Sequence, residues 1–162
     1  MSHTTLLDAC RLQYRAMFMM LQEAIGRCPD AVWDLRDDEP PFWQQACHTL
    51  QSVDFYLSDS PEAFEADPGF EQGADELDKA PVTAATREQM LEYLGKVERK
   101  CTALLTSHEE ASFDRRNLFY WTGPTVGHHL VYNLRHAQHH IGWMNSILRR
   151  HRAEPAEWVC SP

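Results

Sequence analysis

Leu130-Val-Tyr-Asn-Leu134-Arg-His136-Ala137-Gln-His-His140-Ile141-Gly-Trp-Met144-Asn-Ser-Ile-Leu148 carries an apolar residue every three or four positions. Leu130, Leu134, Ala137, Ile141, Met144 and Leu148 therefore fall on one stripe of a helix. A strand would need alternation with a period of two, and the run has none. The helix is predicted over 124–152. Gly123-Pro124 opens it, Arg149, Arg150 and Arg152 suit the negative end of its dipole, and Pro155 follows.

The same period recurs upstream. Met90, Leu94, Val97, Cys101 and Leu104 mark a third helix over 86–108, introduced by Thr86-Arg-Glu-Gln89. That tetrad is a capping box, in which hydroxyl and amide satisfy two orphan N–H groups. Trp43, Cys47, Leu50, Val53 and Leu57 mark a second over 39–57, with Pro40 and Pro41 in its first turn. Leu7, Cys10, Tyr14, Met17, Leu21, Ala24 and Cys28 mark the first over 4–28, ended by Pro29. Four amphipathic helices bury their stripes only against one another, so the predicted fold is an all-α four-helix bundle.

Residues 58–85 interrupt the pattern. Between Asp59 and Asp78 stand eight acidic residues and no basic one, with Pro61, Pro68, Gly69 and Gly73 among them. This predicts a solvated, irregular crossover, and the acidic 59–78 segment is expected to be the most mobile part. A 28-residue connection is long enough to return the chain along a whole helix, which allows an up-down-down-up order.

The 162 residues fit one domain, expected over 1–162. No stretch approaches the roughly 20 apolar residues of a membrane span. Met1-Ser-His-Thr-Thr5 lacks the basic start and apolar run of a secretion signal. Five cysteines at 10, 28, 47, 101 and 160 show no CxxC spacing, which disfavours a disulfide framework or zinc ribbon. A cytoplasmic protein is expected. A net charge of −9 argues against nucleic acid as a partner.

Chemistry rests on the nine histidines. His136 and His140 are spaced HxxxH, although chance alone supplies roughly half such a pair in a chain this rich. On a helix the two differ by about 40° and 6 Å of rise, so both imidazoles can reach one ion. His129 lies about 10 Å from His136 along the axis, too far to share it. His139 is a substitute partner, pointing about 60° to the other side. A bundle-core site needs ligands from a facing helix, and His48 is the one histidine in the second helix.

Phe42-Trp-Gln-Gln-Ala-Cys-His48-Thr-Leu-Gln-Ser-Val-Asp-Phe-Tyr-Leu57 resembles the second-helix segment of the DinB-like superfamily, where an aromatic-rich helix carries one metal-binding histidine. Asn133-Leu-Arg-His136-Ala-Gln-His-His140-Ile-Gly142 is similar to that superfamily's HxxxHxG signature on the last helix. With the long crossover, the resemblance runs from the first helix to about residue 150. It implies a divalent metal ion held by His48, His136 and His140, with zinc or nickel the leading candidates and iron or manganese others. The open coordination position would take water or a substrate thiol.

Two function classes follow from the resemblance. One is a metal-dependent enzyme acting on a small molecule, of the thiol S-transferase or hydrolase type, with a low-molecular-weight thiol as partner. The other is a non-catalytic metal-binding or stress-response module. The iron-binding domain of ergothioneine-forming enzymes also resembles this bundle, but it calls for HxxxHxE, and position 142 here is Gly. A homodimer is expected from related bundles. His3, His108, His128 and His151 are expected at surfaces or helix ends, and Cys47 as a small core residue. Asp54 and Glu98 are candidates to orient an imidazole or act as a base. Trp43, Phe55, Tyr56, Trp121 and Trp143 are candidates to line a pocket.

Overall fold

A computed structural model describes residues 5–37 and 40–160. The described residues form five α-helices and no strand. These are α1 (Leu6–Arg27), α2 (Asp30–Trp33), α3 (Phe42–Tyr56), α4 (Arg87–Ser107) and α5 (Val126–Arg150). Three short 3-10 turns lie at Pro61–Ala63, Glu110–Asp114 and Tyr120–Thr122. The four long helices match the predicted ones to within a few residues at each end. The predicted starts at residues 4 and 39 lie outside the described residues.

Local chemistry sets the ends. Thr5 with Asp8, and Thr86 with Gln89, each form a complete capping box, so α1 and α4 begin with two orphan donors satisfied. Pro41 is the N-cap of α3, one step outside the helix, where its missing N–H costs nothing. The one-turn α2 was not expected from the sequence. It follows Pro29 and is held by tertiary contacts: Trp33 donates to the Ala85 carbonyl at 2.7 Å, and Arg87 pairs with Asp30 at 2.8 Å.

The stripes meet in one core. Every predicted core position of the first two predicted helices is buried. In the third and fourth, Leu104 and Leu134 are the exceptions, half-buried against the core. After Cys101 the buried face continues to Leu105 instead, because a step of four keeps closer to the Val97–Cys101 line than a step of three.

Packing is uneven: α1 and α3 each lie against both α4 and α5 and barely touch one another. Arg11 donates to the Leu105 carbonyl, and Arg87 reaches the Cys28 carbonyl, across α1 and α4. Tyr14 donates to the Leu130 carbonyl at 2.9 Å, and Gln138 approaches Met20, across α1 and α5. Across α3 and α5, Gln45 meets His140 and Val53 meets Asn133.

The crossover is irregular, as expected, but it is not wholly solvated. Gly73 takes φ +81°, a backbone state that favours glycine, and turns Ala74 inward until it is 1 % exposed. Gln44 then donates to the Glu76 and Lys79 carbonyls at 2.8 and 3.0 Å.

Replacing Tyr14 by Phe removes a buried bond and is expected to cost about 1 kcal/mol of unfolding free energy in urea titration. Leu21→Ala opens a cavity at a fully buried position. It should cost about 2–5 kcal/mol.

Candidate metal centre

Three imidazoles converge between α3 and α5. His48 stands at the middle of α3, and His136 and His140 lie one turn apart on the facing side of α5. Ring centroids are 4.4 Å apart for His48 and His140, 4.6 Å for His136 and His140, and 5.3 Å for His48 and His136. One ring nitrogen from each lies within 4.8 Å of the other two. Around a tetrahedral ion with nitrogens at about 2.1 Å, ligand atoms stand about 3.4 Å apart, so modest side-chain rotations close the set.

Hydrogen bonding orients two of the rings. His48 Nδ1 lies 2.8 Å from the Asp75 carbonyl oxygen, an acceptor only, so this nitrogen carries the proton and Nε2 keeps its lone pair. His140 Nδ1 lies 3.3 Å from Gln45 Oε1, with the same consequence. His136 Nδ1 is buried with no partner. An orphaned imidazole nitrogen inside a cluster of three is costly without a cation and natural with one, so these residues fit a metal ion.

Electrostatics agree. Burial, followed by the neighbouring His48 and other nearby cationic groups, lowers His136 from 6.5 to about 4 and His140 to about 3. Both are neutral at physiological pH, the state a metal requires.

The other expected site residues divide. His139 is exposed, with its ring 5.0 Å from that of His140, and does not join the three. His129 is buried and satisfied, its Nε2 2.7 Å from the Tyr56 carbonyl and its Nδ1 2.9 Å from the Thr122 hydroxyl. His108, His128 and His151 lie at helix ends and away from the three. His3 lies outside the described residues. Cys47 is buried, and burial pushes its thiol up to about 12, as expected of a core residue.

Asp54 is a correction. Six residues beyond His48, it faces about 120° away, where it binds Lys100 at 2.5 Å and accepts from Tyr93 at 2.7 Å. Glu98 lines a cavity of about 350 Å³ between α1 and α4, with Arg11 and Cys101. Neither meets an imidazole of the cluster.

Of the aromatics, Trp43 is fully buried and donates to Asp34, whereas Tyr56 lies against His136 with centroids 6.2 Å apart. Phe55 and Trp121 stack on each other, and Trp143 lies 6.3 Å from His139. Tyr132 was missed. It lies parallel to His136 at 6.2 Å and carries the Arg135 guanidinium over its ring at 5.6 Å. Its spacing four residues before His136 was the available signal. Gln45 gave a weaker one, three residues before His48, and the Asp75 carbonyl gave none. An added Cβ at Gly142 meets nothing within 4 Å, so packing does not require glycine there.

Unfolding frees His136 and His140 to protonate near 6.5, while the fold resists down to about 4 and 3. In ion-free protein these two groups therefore contribute fully above pH 6.5, and their contribution is lost as pH falls toward 3. Thermal melts should show a shallower loss across that window for a His136→Gln/His140→Gln variant.

Comparison with known proteins adds the lineage. A family model described as the DinB superfamily matches residues 13–144, which include both histidine segments and the crossover. No curated protein and no solved structure gives a significant match. Having matched over most of its length, the chain belongs to the DinB superfamily.

Proposed function

We propose that the protein binds a divalent metal ion through His48, His136 and His140 and uses it to activate a small-molecule nucleophile, water or a low-molecular-weight thiol. The carrying observation is the convergence of three imidazoles from two helices, one nitrogen of each within 4.8 Å of the others. Such an ion, when bound, acidifies a coordinated water or thiol so that a nucleophile exists near neutral pH. His48 and His140 are held by Asp75 and Gln45, and Tyr56 and Tyr132 flank His136. Imidazole ligation suits zinc, nickel, iron and copper alike; zinc or nickel are the ions proposed, with iron and manganese as alternatives.

Three of the protein's own thiols are poor nucleophiles, since burial raises Cys28, Cys47 and Cys101 to about 12. That supports an external thiol in an S-transferase reaction, or water in a hydrolase. All five cysteines are free, which suits a reducing, cytoplasmic setting. No described helix is long and apolar enough to cross a membrane. The non-catalytic alternative, a metal-binding or stress-response module, is favoured by one observation: Asp54 and Glu98 lie away from the imidazoles. A thiol-transfer screen of metal-loaded protein separates the two.

The same proposal takes the long helices as an up-down-down-up bundle. The support is that α1 meets α4 with 11 beside 105 and 28 beside 87, and α5 with 14 beside 130 and 20 beside 138. Against α5, α3 places 45 beside 140 and 53 beside 133.

Elemental analysis and calorimetric titration should find about one ion per chain in wild type. His48→Ala, His136→Ala and His140→Ala should each lose most of it, while His128→Ala, His139→Ala and His151→Ala keep it. Added ion should raise the melting temperature of wild type and not of His136→Ala. Wild type that takes up no zinc, nickel, iron or manganese would end the proposal.

A homodimer is also proposed, supported by exposed Leu118, Tyr120, Trp121 and Val131. Sedimentation showing only an 18.8 kDa species at tens of micromolar would count against it.

A further inference from the structure

Gln45 is 0 % exposed, deep between α3 and α5. Its Oε1 faces His140 Nδ1 at 3.3 Å, and its Nε2 has no partner. A buried amide with half its capacity unused is a poor core filler, because Met or Leu would occupy the same volume without desolvating a donor. What the amide supplies that they cannot is an acceptor for an imidazole N–H.

We infer that Gln45 is a positioning residue for the three-histidine centre, holding His140 as the Nδ1–H tautomer so that its Nε2 lone pair faces the ion. This rests on the metal-binding reading above. His48 has a separate pin, the Asp75 carbonyl at 2.8 Å, which comes from the crossover and owes nothing to Gln45. His136 has neither: its Nδ1 is orphaned. Two rings are thus set before an ion arrives, and the third is left free to turn onto it. The opposite orientation of the Gln45 amide would present N–H to Nδ1, force the proton onto Nε2 and block ligation by that atom.

The test uses full-length protein in three forms: wild type, Gln45→Met, which keeps volume without an acceptor, and Gln45→Glu, which keeps an acceptor. Thermal melts confirm that each is folded. Long-range nitrogen–proton NMR spectra of ion-free protein at pH 8 report the tautomer of each ring, and zinc alone, against a competing chelator, gives affinity. Wild type and Gln45→Glu should show His140 with its proton on Nδ1. Gln45→Met should redistribute that proton, leave His48 unchanged, and bind zinc about 10–100-fold more weakly. His140 carrying its proton on Nε2 in wild type overturns the inference, as does Gln45→Met binding zinc with unaltered affinity. Should wild type take up no zinc, the metal reading fails, and the ion-free spectra still decide whether Gln45 sets the tautomer.

Discussion

Three imidazoles packed against one another between α3 and α5, His140 buried and the other two half-buried, are the constraint around which this structure is arranged. Each ring N–H turned away from solvent must find an acceptor or remain a cost. Two acceptors are supplied from different places, the Asp75 carbonyl in the crossover and the Gln45 side chain in α3. The cluster therefore ties an irregular segment to the helices. An acidic loop that composition would leave in solvent is drawn inward at Ala74 so that its next carbonyl meets His48.

The helices divide the labour. Helices α1 and α4 hold no member of the cluster and contribute the apolar mass behind it: Met17, Leu21, Met90 and Val97 are essentially without exposure. Helix α3 carries His48 on one side and Asp54 on another. Asp54, with Lys100, Tyr93 and Ser58, fastens α3 to α4 by charge-assisted bonds. A carboxylate spent on that fastening is not at hand for proton transfer near the imidazoles. His129 does similar work at the far end. It stacks on Phe119 at 4.5 Å and bonds Tyr56, which secures the 119–122 turn beside the aromatic wall of His136.

The four long helices, their caps and their buried stripes were legible in the sequence, because a 3.6-residue period and a capping box are local properties of consecutive residues. His136 and His140 were legible as a pair for the same reason: four residues on one helix fix their separation whatever surrounds them. His48 entered as the one histidine of a facing helix and then through resemblance, since no local rule relates a residue on α3 to two on α5. What the tertiary structure alone decided was each group whose role depends on what lies opposite. Asp54 met Lys100, His129 met Tyr56, and Trp33 closed an unforeseen helical turn against Ala85. The Asp75 carbonyl is the limiting case. Every residue has a carbonyl, so no side-chain pattern marks the one that will face an imidazole; only the path of the chain through space selects it.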